Sequence, residues 1–461
     1  MPTVDWWNVA RVTIDMLPDL ALLEIFYFYM GQQIDAWQTL VHVCRKWRIV
    51  VFGSPHRLGL RLLCSTSTPV REMLDVWPPL PIVIMGECDE DWGMDNILAA
   101  LEHYDRICEL NLFPVASSQM EEVIAAMQQP FPALTCLELE PDLYETQSVV
   151  IPTSFLGGSA PRLRTLRLNT ISFPGLPKLL LSATHLVHLD LQSIPHSGYI
   201  SPDAMVTSLS VLTRLKYLGI GFASLRSRPD QKSRRPSTRT LLPVLTKLRL
   251  RGAGEYLEDF VARINVPLLD NLTTLFLDQL TFTQLVEFIS RTPKFRGYNE
   301  ARLVFSYGHV SVVLPQTSDG RLEMGILRKG FDWHLPSLAQ MCNLYFPQAL
   351  LAVEHLYIQG WMPQMYRQDD IESSHWLEFL HPYTAAKDLY LSQKLVSRIA
   401  PVLQQLVGDR VTEVLPALRA LFLEEPLPSG PVLEGIEQFV AARQLAGHPI
   451  AVSCWNGVEK V

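Results

Sequence analysis

A six-residue pattern, apolar-x-x-Leu-x-apolar, returns ten times along this chain and restricts its fold more than any other feature. It reads ICELNL (107–112), LTCLEL (134–139), LRTLRL (163–168), LVHLDL (186–191), LKYLGI (215–220), LTKLRL (245–250) and LTTLFL (272–277), then VEHLYI (353–358), AKDLYL (386–391) and LRALFL (418–423). By subtraction, the central leucines at 110, 137, 166, 189, 218, 248 and 275 lie 27, 29, 23, 29, 30 and 27 apart, and those at 356, 389 and 421 lie 33 and 32 apart. One or two such hexads mean little in a leucine-rich chain, but ten at near-regular spacing specify leucine-rich repeats. In x-Leu-x-Leu-x a short strand turns alternate side chains inward. Leu166 and Leu168 therefore enter the core, while Thr165, Arg167 and Asn169 face out. A single unit cannot cover its apolar side, so the units must stack. The expected class is α/β: a solenoid with a curved parallel sheet and helices on its convex side. SSQMEEVIAAMQQ (117–129) and TFTQLVEFISRT (281–292) have the helical periodicity those connections require.

Two stretches depart from the repeat. ARLVFSYGHVSVVLP (301–315) alternates at period two and GRLEMGILRKG (320–330) follows a Ser-Asp-Gly turn, which predicts a hairpin-like insertion near 298–330 with the ladder continuing through it. RSRPDQKSRRPSTR (226–239) carries six basic residues, one acid and no apolar residue, and reads as an exposed, mobile loop.

Composition sets the surroundings. With 48% hydrophobic and 19% charged residues the 461-residue chain is globular. A net charge of −8 is the wrong sign for a general nucleic-acid binder. Seven cysteines without a CxxC pair fit a reducing compartment, no secretory leader is visible at the start, and no run is long enough for a membrane helix. These features predict a cytoplasmic or nuclear protein that uses neither nucleic acid nor membrane.

The N-terminal region has a different character. MLPDLALLEIFYFYM (16–30) reads as a helix with Leu22, Ile25, Phe26 and Tyr29 on one face, widened by Leu23, Tyr27 and Phe28. In DAWQTLVHVCRKWRIVVF (35–52) two offset apolar stripes predict two short helices with a break near Val43 and Cys44. Three helices in some forty residues cannot bury all this apolar surface by themselves. Part of it should face a partner.

These residues resemble the F-box: a Leu-Pro opening (17, 18), LLEIF (22–26), and VCRKW (43–47). Together with TPVREMLDVWPPLPIVI (68–84) and VAARQLAGHPIAVS (440–453), the chain resembles the F-box proteins of mushroom-forming (basidiomycete) fungi along essentially its whole length. The resemblance implies a three-helix F-box module at 13–60 and a leucine-rich-repeat domain at 61–461. It also implies a substrate-recognition role in a Skp/cullin/F-box ubiquitin ligase. The module would dock on the Skp-type adaptor, and through it on a cullin/RING ligase, using Leu17, Pro18, Leu22, Ile25, Phe26, Val43, Cys44 and Trp47. Leu17 and Pro18 are the expected direct contacts and Trp47 is read as core. A rival reading makes these helices only an N-terminal cap on a repeat protein that serves as an interaction scaffold.

The expected capture surface for a protein substrate is the concave face, with Arg167, Tyr217, Arg249, Phe276, Tyr357, Tyr390 and Phe422 pointing outward. Charges dominate its first half and aromatics its second, so the aromatic half is expected to hold the binding hot spot. No catalytic, metal or cofactor site is expected. The two histidines of HLVH (185–188) should point to opposite faces of a strand, Cys44 falls on an apolar stripe, and FLGGSAP (155–161) lacks the lysine of a phosphate loop.

Overall fold

The computed structural model describes residues 14–31, 33–86, 93–142, 148–223, 238–277, 283–295, 297–306, 309–315, 320–327, 335–345, 350–360 and 372–456. They divide into two compact units, Met1–Leu166 and Arg167–Val461. The basic stretch 226–239 lies outside the described residues except for Thr238 and Arg239.

The first unit opens with helices α1 (Asp19–Met30), α2 (Ala36–Val43) and α3 (Arg45–Gly53), then the short α4 (Pro55–Leu58). The expected break between α2 and α3 falls at Cys44, which is extended (φ −157°, ψ 170°) and accepts a hydrogen bond on Sγ from the Trp47 backbone N at 3.5 Å. That sulfur caps one of the orphan N–H groups that every helix start leaves behind. Four parallel strands follow in sequence order: β1 (Leu62–Cys64), β2 (Ile82–Gly86), β3 (Ile107–Val115) and β4 (Cys136–Pro141). Helices α5 (Val70–Val76), α6 (Met94–Leu101) and α7 (Ser117–Ala126) connect them. The hexads at 107 and 134 enter as expected, with Leu110, Leu112, Leu137 and Leu139 buried. Two strands precede them. In β1 and β2 the inward positions are Leu62, Cys64, Ile82 and Ile84, so the leucine signature is lost although the alternation is kept.

The repeats of this unit are tied to its helices through Trp37. Its ring is fully buried against Phe52 (5.9 Å) and Trp77 (4.9 Å), and its Nε1 donates to the Arg61 carbonyl at 2.8 Å. A buried indole needs such an acceptor.

The division between units falls inside β5 (Thr165–Asn169). In the second unit β6 (His188–Ile194), β7 (Tyr217–Phe222), β8 (Lys247–Gly252) and β9 (Asn271–Phe276) run parallel in that order. Helices α8 (Leu176–Leu180), α9 (Pro202–Leu209), α10 (Gly254–Ala262) and α11 (Thr283–Arg291) alternate with them.

The blurred region forms three strands, β10 (Glu300–Ser306), β11 (His309–Pro315) and β12 (Arg321–Leu327), an antiparallel meander that belongs to the main sheet. Its spatial order is reversed: β12 pairs with β9, and β10 pairs with the next repeat strand, β13 (His355–Gly360). The ladder thus continues through the insertion, as expected. It ends with the parallel strands β14 (Asp388–Leu391), β15 (Ala420–Glu424) and β16 (Ala451–Trp455). Helices α12 (Leu335–Tyr345), α13 (Ser373–Leu380), α14 (Gln393–Gln404) and α15 (Pro431–Leu445) complete this unit.

One hexad takes a different register from the one expected. Leu272 pairs with Leu248, and Thr274 with Leu250. The working hexad is therefore LDNLTT (269–274), three residues before LTTLFL. Leu272, Thr274 and Phe276 consequently share the inward face, and Phe276 is fully buried instead of lying on the open face.

The core also holds an ionic group. Arg443 of α15 is fully buried and donates to the carbonyls of Val411 (3.1 Å), Leu418 (3.0 Å) and Pro416 (3.4 Å). Arg106 (to Leu80 O) and Arg291 (to Val261 O and Ile264 O) do the same work elsewhere, pinning turn carbonyls that would otherwise be orphaned.

Candidate functional site

Two surfaces collect the residues singled out by sequence. The first is on α1–α3. Leu22 and Phe26 are fully buried within the module, Phe26 lying against Trp47 with ring centroids 4.7 Å apart. They shape the surface from beneath and are not on it. Trp47 is half-buried and Cys44 caps α3, so both organise the helices. Leu17 is half-buried, with its carbonyl held by Lys46 Nζ at 2.8 Å; Pro18 is exposed at the start of α1. Ile25 (43% exposed) and Val43 (55%) face solvent.

The helical wheel explains the surplus. Leu22, Leu23, Phe26 and Met30 fill the inner arc of α1. The outer arc carries Leu20, Ile25, Tyr27, Phe28 (79% exposed) and Tyr29, with Glu24 as its one charge. An exposed apolar arc of this kind on a packed helix is a candidate interaction surface. Leu20 was not singled out by sequence, and Phe28 was named only as widening the apolar surface and not as an adaptor contact, because period alone cannot separate the covered arc from the bare one when both are apolar.

The second surface is the open face of the sheet in the second unit. Arg302, Tyr357, Tyr390 and Phe422 occupy one register row on β10, β13, β14 and β15. Parallel strands in register repeat every ~4.8 Å, close to ring thickness, and the rings stack: Tyr357 on Tyr390 at 4.1 Å and 10°, Tyr390 on Phe422 at 4.4 Å and 7°. Arg302 lies over the far face of Tyr357 at 5.4 Å while pairing with Glu300. Trp455 of β16 leans over the row, 5.8 Å from Tyr357 and 5.4 Å from Tyr390, and its Nε1 donates to Leu391 O at 3.3 Å. Burial pushes both tyrosine phenols up, so both rings are neutral at physiological pH. Trp455 was not legible in sequence, since β16 carries no hexad leucine.

The other end of the same face is ionic. Arg167 lies 3.7 Å from Asp190 and 3.3 Å from His188 Nε2. His188 stacks on Tyr217 at 4.1 Å and 5°, and the Tyr217 hydroxyl is hydrogen-bonded with Arg249. Arg167, Tyr217 and Arg249 therefore form one cluster, Tyr357, Tyr390 and Phe422 another, and Phe276 belongs to neither. Among the described residues no group of three or more His, Cys, Asp or Glu side chains is placed to hold a metal ion, and no helix is long and apolar enough to cross a membrane.

No protein family matches this chain, and comparison with curated proteins gives no match. Among solved structures, the chain is similar to the leucine-rich repeat-containing protein LegL7 from Legionella pneumophila, at 12% identity and a TM-score of 0.29, covering 82% of this chain and 97% of that one. At that level of overlap the repeat architecture rests on this chain's own strand register and burial.

Proposed function

We propose that this protein is a non-catalytic target receptor of a Skp/cullin/F-box ubiquitin ligase, with α1–α3 docking on the Skp-type adaptor and the open sheet face capturing a protein target in the cytoplasm or nucleus. The observation that carries the reading is the double-sided α1: its inner arc is filled by the module's own core, yet Leu20, Ile25 and Phe28 on its outer arc are left bare beside Pro18. Ubiquitin transfer would be the work of partner proteins.

The test is co-purification of the full chain with a Skp-type adaptor. Ile25→Asp and Phe28→Asp should abolish recovery while changing stability by only ~0.5 kcal/mol, as surface changes do. Phe26→Ala should cost ~3–5 kcal/mol by opening a cavity and should lose binding only indirectly. Failure of the wild type to recover any adaptor overturns the ligase reading.

The rival reading, an interaction scaffold whose helices serve as a cap, is favoured by the burial of Trp37 against Trp77 and its bond to Arg61. A cap needs the inner faces of the helices and leaves the outer arc of α1 unexplained. Substituting that arc separates the two.

A further inference from the structure

We propose that the ionic end of the open face is an anion-recognition site, in which Arg249 and Arg251 grip one acidic group, a carboxylate or a phosphate, on an extended segment of the captured protein. This rests on the reading of that face as a capture surface and is independent of adaptor docking.

Two glycines shape this end of the face. Gly219 and Gly221 occupy the outward positions of β7, in register between Asp190 on β6 and Arg249 and Arg251 on β8. A Cβ at Gly219 would fall on Asp190 Oδ1, and one at Gly221 would lie 2.7 Å from Gln192 Oε1. The missing side chains let Asp190 and Gln192 fold down across β7. There Gln192 Nε2 donates to Asp190 Oδ1 at 2.6 Å, and Arg167 stands beside the carboxylate. Asp190 is almost completely buried in this arrangement and its charge is matched.

The arginines of β8 are left over. Among the described residues, the outward positions of β7, β8 and β9 hold Lys247, Arg249 and Arg251 and no Asp or Glu. Arg249 and Arg251 sit two residues apart on one strand face, ~7 Å along the chain, and among the described residues the buried Arg251 Nε has no hydrogen-bond partner. Burial lowers the pKa of Arg251, and the neighbouring Arg249 charge lowers it further. Two like charges, one half-buried and short of an acceptor, are an unsatisfied arrangement that a bidentate anion completes. The site is also preorganised, because Tyr217 is held flat by the His188 stack and fixes Arg249.

The experiment uses the full chain and three peptide pools with randomised flanks and a fixed central phosphoserine, glutamate or serine, read by fluorescence anisotropy. At low salt the phosphoserine or glutamate pool should bind at least about tenfold more tightly than the serine pool, the gain expected of a charge-assisted bond. The preference should fade as salt is raised and vanish in the Arg249→Gln, Arg251→Gln double variant at unchanged melting temperature. The exposed single variant Arg249→Gln serves if the double variant does not fold. Preference for phosphoserine over glutamate, with competition by inorganic phosphate, identifies the phosphate source; equal binding of both anionic pools identifies a carboxylate. Equal binding of all three pools, or a preference that survives in the folded variants, overturns anion recognition and leaves the capture reading in place. No binding by any pool overturns both.

Discussion

The two ends of the open face in the second unit follow opposite rules. Around Tyr357, Tyr390 and Phe422 each side chain is matched from within: ring on ring, Arg302 over the first ring, Trp455 over the row. Around Arg249 and Arg251 the outward acids of the flanking rows, Asp190 and Glu323, are already engaged, the first by Arg167 and Gln192 and the second by Arg321, and among the described residues no ion pair meets the two charges. The aromatic end is finished without a partner and the ionic end is not. Outward-pointing aromatics are therefore not by themselves evidence of bare binding anchors, since stacking has used their faces and offers a partner mainly edges and hydroxyls. Unmatched charge is the stronger pointer to a ligand.

The contrast can be broken by measuring stability on both ends. The largest effect is expected for Tyr390→Ala, which removes the middle ring and both stacking contacts: about 2 kcal/mol lost in chemical denaturation. A loss below ~0.5 kcal/mol, the scale of an ordinary surface change, would show that the stack is incidental. Trp455→Ala should cost about 1 kcal/mol, since the indole covers the row from an edge strand and has one hydrogen bond. Arg249→Gln with Arg251→Gln should be neutral or slightly stabilising, within ~0.5 kcal/mol, because a repulsion is relieved. A clear destabilisation there would mean that the charges are matched after all.

The smallest effect concerns pH. Burial raises the phenols of Tyr357 and Tyr390 above the ordinary tyrosine value of ~10. Their contribution is therefore complete below pH ~10 and is lost as pH rises through the folded-state values, because the unfolded chain ionises first. Tyr357→Phe should flatten the alkaline part of the stability curve by a small amount and leave it unchanged at pH 7.

Most of the repeat was legible because each hexad carries both a spacing and an alternation. Where the two could be satisfied in more than one way, reading failed: LDNLTT and LTTLFL overlap by three residues, and only pairing with Leu248 decides between them. Placing Phe276 outward followed from the wrong choice. Strands β1, β2 and β16 were missed for the converse reason, since Cys64, Ile82, Val452 and Cys454 keep the alternation and discard the leucine. In the helical module the break at Cys44 was legible from offset stripes. Which arc of α1 would be covered was not, because both arcs are apolar. The buried Arg443 gave no signal, as its role depends on carbonyls 25 and 32 residues away.

The meander has a consequence for how such a chain can change over generations. Because β9 runs parallel to β12, β12 antiparallel to β11, and β11 antiparallel to β10, β10 is itself parallel to β9. The inward row passes from Leu272 through Leu322 and Leu314, and resumes at Ala301 and Leu356 with the same faces inward. Cutting out the hairpin of β11 and β12 would leave β10 facing β9 with correct polarity and correct sides. A lineage can therefore acquire or discard two strands at this point without reversing a neighbour, extending the sheet by strands alone where tandem duplication would extend it by whole strand-and-helix repeats.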